Sequence, residues 1–185
     1  MAATQYETIL KEISALFADV DDAAVGELIA RLAKARRIVT FGAGRERLQI
    51  MGFTMRLFHL GMNASVAGDM TTPPVGEGDV LLATCGPGDL STVTALAKQA
   101  KEAEAEVIMI TAQPGGASIE LADFVLTLPA QTMADDQDPS ARSLLPMGSL
   151  FEGALFVLFE AAVLRLKETL GVTAAEMRAN HTNLE

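Results

Sequence analysis

Two apolar rhythms alternate along the chain. Through about 5–17 and 21–35 the apolar residues recur at helical spacing, which predicts two amphipathic helices, with Asp21 placed to cap the second. Short apolar runs come next: RIVTFG (37–42), NASVAG (63–68), VLLATC (80–85), VIMITA (107–112) and FVLTLP (124–129). Each has the length and content of a buried strand. Between the first two, GAGRERLQIMGFTMRLFHLG opens on a glycine turn and continues as a helix to about Gly61. STVTALAKQAKEAEA predicts a helix with one polar face, and a short helical turn is expected near 118–122. A polar loop, QTMADDQDPSARS, then leads to a helix over 147–170 that is apolar on nearly every side. TAAEMRA predicts a last turn before the tail NHTNLE.

Helices alternating with wholly apolar strands indicate a parallel sheet covered on both faces: an α/β chain built as a three-layer αβα sandwich around five strands. Ligands of such sheets bind beyond the carboxyl ends of the strands, near a reversal of strand order. The glycine turns at 42–44 and 86–88 and the loop at 69–74 fall at those ends. The all-round apolar helix needs cover that a chain of 185 residues supplies most simply by association with itself.

Composition narrows the function classes. Half the residues are hydrophobic and 21% are charged, which argues for one folded domain and against disorder. The net charge of −10 excludes a nucleic-acid surface, because such affinity rests on clustered cations. Lys34, Arg36 and Arg37 stand together where a helix ends, and there they suit its dipole. A single cysteine makes no internal disulfide, and the N-terminus has no apolar signal core. The apolar stretch 144–166 is interrupted by Glu152 and Glu160, so a membrane span is not expected. The expectation is a soluble, cytoplasmic protein.

Gly42-Ala43-Gly44 after a strand suggests a dinucleotide loop, but the third glycine is replaced by Arg47, and Asp69 is the one acidic residue near the ribose position. No phosphate-loop lysine pattern or zinc-ligand spacing is present, so no nucleotide or metal cofactor is expected. The turn CGPGDL (85–90) has the glycines of a phosphate cradle.

Three segments together resemble the 6-phospho-3-hexuloisomerase family of sugar isomerase (SIS) domains: 41–88, with MRLFHLG, TTP and GEGD; LPMGSLFE at 145–152; and NHTNLE at the end. The resemblance spans nearly the whole chain. It implies a five-stranded parallel sandwich assembled as a tetramer with active sites shared between subunits. It also implies cofactor-free movement of a carbonyl between C3 and C2 of a ketohexose 6-phosphate through an enediol. By that resemblance Glu152 is the base, and an apolar helix start would raise its pKa towards neutrality. The alternative is a helix-start glutamate satisfied by backbone N–H groups. His59 and His181 match family histidines and could relay protons to the sugar oxygens. The alternatives are a helix-end cap for His59 and a frayed end for His181, unless the tail docks into a neighbouring subunit.

Gly42, Gly44 and Arg45 in the first turn, and Gly86, Gly88, Asp89 and Thr92 in the second, match substrate-binding positions. Arg45 could meet an anion bidentately or pair with Glu46. The chain departs from the pattern where the family loop reads S-G-S-G-E-T. Cys85, Pro87 and Leu90 replace three hydroxyls, and Glu46 stands where the family has serine. Each lost hydrogen bond to a charged group is worth about 1.5–3 kcal/mol. Either Arg47 swings in to compensate, or the substrate end held here is not a phosphate, and Glu46 accepts from sugar hydroxyls. Cys85 is read as filling a serine-sized space rather than as a nucleophile. A non-catalytic sugar-binding or regulatory module is the rival function.

Overall fold

The computed structural model describes residues 4–137 and 143–184. Five strands, β1 (Arg37–Phe41), β2 (Ala64–Val66), β3 (Asp79–Thr84), β4 (Glu106–Thr111) and β5 (Phe124–Thr127), form one sheet. Every pairing is parallel, and the order is β2-β1-β3-β4-β5. The chain leaves β1 for one edge and returns across it to β3. The strand order therefore reverses between β1 and β3, where open sheets leave a crevice at their carboxyl ends.

Side chains alternate across the sheet. Ile38, Leu82, Ile108 and Leu126 face a core shared with α1 (Gln5–Phe17), α2 (Asp22–Lys34), α3 (Gly44–His59) and α5 (Ser149–Leu170). Val39, Leu81, Val107 and Met109 face a smaller core covered by α4 (Ser91–Glu102) and the 3-10 turn Ile119–Leu121. This is the three-layer sandwich expected, with an unequal division of helices. A final short helix, α6 (Ala174–Ala179), packs against α3.

Local chemistry sets the boundaries. Asp21 accepts from the Ala23 N–H at 2.9 Å and caps α2, and Thr4 with Glu7 forms a capping box on α1. At the amino end of the sheet, far from the crevice, the fully buried Asp79 accepts from Arg36 (2.8 Å) and from the Gly76 N–H (3.0 Å), and pairs with Arg37 at 3.6 Å. Arg36 and Arg37 are thus committed to a buried carboxylate rather than to the end of α2.

The long helix α5 buries Leu150, Phe151, Leu155, Leu158, Phe159 and Leu166, and Phe159 stacks on Phe53 of α3 with ring centroids 4.5 Å apart. Its other side is open within one chain: Phe156 is 58% and Leu164 64% exposed. Beside them on α3, Leu48, Met55 and Phe58 are exposed as well. Among the described residues, no helix is long and apolar enough to cross a membrane.

Candidate active site

At the strand-order reversal, the starts of α3 and α5 and the turn after β3 enclose a cavity of about 580 Å³. That is the size of a small-ligand site. Glu152 reaches it from the first turns of α5, which begins at Gly148 in a left-handed conformation (φ 78°) with no side-chain cap. The Glu152 side chain is nine-tenths buried. Its Oε2 lies 2.6 Å from Arg45 Nη2 of α3, yet makes no well-aligned hydrogen bond. Burial pushes the Glu152 carboxyl above its ordinary value, and the Arg45 charge opposes that shift. Arg45 therefore pairs with Glu152, and its guanidinium stands largely exposed at the cavity mouth.

Glu46 is the next residue along α3. Its two carboxylate oxygens accept from the Gly86 N–H, at 3.1 and 3.3 Å. Burial raises the Glu46 carboxyl above its ordinary value; Thr84 and the Gly86 N–H oppose this, and the charge of Glu152 adds to it. Gly86 has no room for a side chain, since a Cβ would stand 2.9 Å from Glu46 Oε1 and 3.0 Å from the Phe151 ring. The turn is shut further along. Gly88 (φ 80°) lies against the 113–116 loop, where a Cβ would meet Gln113 O at 2.6 Å and Gly115 O closer still.

The structure gathers Gly44, Arg45, Glu46, Asp89 and Glu152 around one cavity. Gly42 lies just beneath, tight against Thr84 and the backbone of Arg47. Arg47 does not line the cavity: it donates to Ala67 O (3.3 Å), lies 4.0 Å from Asp69 and covers the Phe41 ring. Those contacts at the end of β2 hold it away, so it does not compensate for the altered turn. Thr92 points outward from α4 and is exposed. Cys85 is fully buried in the smaller core, and burial pushes its thiol up to about 11, which suits packing rather than nucleophilic attack.

His59 and His181 stand together, but elsewhere. Their rings stack with centroids 5.1 Å apart, and the Asn180 amide donates to His59 O at 3.0 Å. They line a second cavity of about 480 Å³ with Arg56, Phe156 and Glu160, on the exposed apolar side of α3 and α5. His59 ends the helix that Arg45 begins, so at 1.5 Å per residue the two are about 21 Å apart along α3. Within one chain the histidines do not reach Glu152.

Thr132, Met133 and Ala134 also line the Glu152 cavity, together with Met147 and Phe151. They belong to the polar loop read from sequence only as a connection. Its position after β5, at the ligand end of the sheet, was the signal that could have singled it out. Asp135 accepts from the Thr132 N–H (2.6 Å) and hydroxyl (3.0 Å) and fixes that wall. Among the described residues, no group of three or more His, Cys, Asp or Glu is arranged to hold a metal ion.

Comparison with known proteins follows the same outline. The SIS domain model matches residues 31–157. A 3-hexulose-6-phosphate isomerase of Bacillus subtilis (strain 168) is 33% identical over 186 residues, covering 100% of both chains. One from Mycobacterium gastri is 37% identical over 174 residues, 94% of this chain and 86% of the relative. Among solved structures, a Methanococcus jannaschii protein inferred to be a 3-hexulose-6-phosphate isomerase gives a TM-score of 0.84 at 28% identity, over 98% of this chain and 99% of that one.

Proposed function

The chain belongs to the SIS domain family, and from that premise we propose that it is a sugar isomerase of the 6-phospho-3-hexuloisomerase type, with Glu152 as its base. The observation that carries the catalytic assignment is a nine-tenths buried glutamate that lines a ligand-sized cavity and is paired there with Arg45 at 2.6 Å.

The chemistry needs little else. In a 3-ketose the C2–H is weakly acidic, because removing it delocalises the electron pair onto the C3 carbonyl oxygen. Glu152 takes that proton, O3 gains one, and a 2,3-enediol forms. Loss of the O2 proton and return of a proton to C3 gives the 2-ketose. Burial makes Glu152 a stronger base than an exposed glutamate, which suits proton transfer near neutral pH. The Arg45 guanidinium stabilises negative charge on the enediolate oxygens, an electrostatic effect largest in a water-poor site.

Proton traffic at the oxygens falls to a histidine from a second copy of the chain. The exposed apolar side of α3 and α5 carries both histidines and is the surface a homo-oligomer would bury. His59 and His181 then approach Glu152 of a neighbouring subunit. Exchange of substrate C–H for solvent deuterium tests the function. Glu152→Gln is expected to slow it by about 10²–10⁴-fold, the usual yield of a positioned base. Exchange unchanged in that variant would remove Glu152 from the reaction.

A further inference from the structure

The turn after β3 has the outline of an anion cradle, but four of its five backbone N–H donors are already committed, the exception being that of Asp89. Cys85 N–H donates to Ile110 O at 2.9 Å, and Gly88 N–H to Cys85 O at 3.0 Å. Leu90 N–H donates to the Ser118 hydroxyl at 3.0 Å, and Pro87 has no N–H to give. Gly86 N–H is taken by Glu46, which lines the cavity. A carboxylate thus occupies the place where the outline of the turn calls for a phosphate oxygen.

The charges lining the cavity lean the same way. Arg45 is matched by Glu152, which leaves Glu46 and Asp89 unbalanced, and no lysine or second arginine lines the cavity among the described residues. An incoming phosphate dianion would meet the exposed carboxylate of Asp89 and that of Glu46 in a partly desolvated space, where like charges repel far more than in water. It would also have to evict Glu46 from Gly86. A carboxylate has about four lone-pair sites. Gly86 uses part of that capacity, and the rest can accept sugar hydroxyls. Leu90, Met133, Met147 and Phe151 supply apolar walls for the C–H faces of such a ligand.

We propose that the substrate end held between Glu46 and the turn at 85–90 is a neutral polyhydroxy end, and that Glu46 makes the chain select unphosphorylated ketoses over their 6-phosphates. The inference rests on the isomerase reading. It concerns a different part of the substrate from the one Glu152 attacks.

Both are tested by following deuterium entry at C3 of free D-fructose, D-psicose, D-sorbose and D-tagatose, and of the corresponding 6-phosphates. The full chain is used as wild type, Glu46→Ser, Glu46→Gln and Glu152→Gln. Wild type is expected to exchange at least one free ketose ten or more times faster than its phosphate. Glu46→Ser, which frees the Gly86 N–H and removes the charge, should reverse that ratio. Glu46→Gln, which keeps an acceptor on Gly86, should fall between. In parallel, inorganic phosphate should raise the melting temperature of folded Glu46→Ser and leave that of wild type unchanged. Wild-type exchange of a 6-phosphate at or above the rate of the free sugar overturns the proposal and leaves the isomerase standing, as does equal protection of both proteins by phosphate. Absence of Glu152-dependent exchange with every sugar removes the isomerase reading, and this inference with it.

Discussion

Arg45 and Glu152 lie in the first turns of two different helices and meet at 2.6 Å across the mouth of one cavity. Burial raises the pKa of the glutamate, and the arginine holds it back. The pair therefore sets the pH at which the base becomes available. A base must be ionised to accept a proton, so kcat/KM rises with pH through the Glu152 pKa. In Arg45→Met the opposing charge is gone, and the acidic limb of the profile moves to higher pH. Activity at neutral pH should also fall by about 10²-fold or more, as on loss of a charge-stabilising group. A pH–rate profile of deuterium exchange reads both effects; an acidic limb that stays in place would show that Arg45 does not tune the base.

Stability should carry the mark of Glu46. Its carboxyl is held above its ordinary value by burial, so the folded state favours the protonated form. The resulting stability is fully present below the ordinary glutamate pKa, about 4.3, and is lost as pH rises through the higher folded value. Glu46→Gln removes that loss while keeping an acceptor for Gly86. Its melting temperature relative to wild type should therefore climb between about pH 4 and neutrality, by melts on both proteins across that range. A gap that narrows instead would mean that the charged form is the better-held one.

Gly88, like Gly86, is a position where the turn tolerates no side chain. Gly88→Ala would strain a left-handed backbone and drive a methyl group into the carbonyls of Gln113 and Gly115. Strain of this kind costs about 1–3 kcal/mol. Denaturant unfolding should show a loss of that size or more, with activity falling too as the turn moves away from Glu46.

The sandwich was legible because its cause is local. Apolar runs such as VLLATC and the capping Asp21 act within a few residues, and the structure keeps them to within a residue or two. Glu152, Arg45 and parts of both glycine turns, which the resemblance singled out, line one cavity of a single chain. What the sequence did not convey were choices among partners far apart in the chain. Arg45 had Glu46 beside it, but it pairs with Glu152 on another helix, while Glu46 turns to Gly86. Arg47 looked free to reach a ligand until β2 brought up Ala67 O and Asp69. His59 and His181 match family motifs, but a motif does not say that their rings meet beside a second cavity, away from Glu152.

Subunit sharing of the site is the most exacting prediction. Phe156, 58% exposed on α5, lies beside the cavity that holds the histidines. Burying a glutamate there on association is costly, because an unpaired charge leaves water with no compensation. Phe156→Glu should thus lower the mass seen by light scattering, and activity should fall in step although Glu152 and Arg45 are untouched. A complementation test then separates assembly from chemistry. Glu152→Gln and His181→Ala chains are each expected to be nearly inactive alone. Unfolded together and refolded as mixed oligomers, they should regain activity, because some crevices then combine an intact Glu152 with an intact His181 from the neighbour. Mixed oligomers that form and stay inactive would mean that each crevice is served by its own chain's residues, and His181 would leave the mechanism.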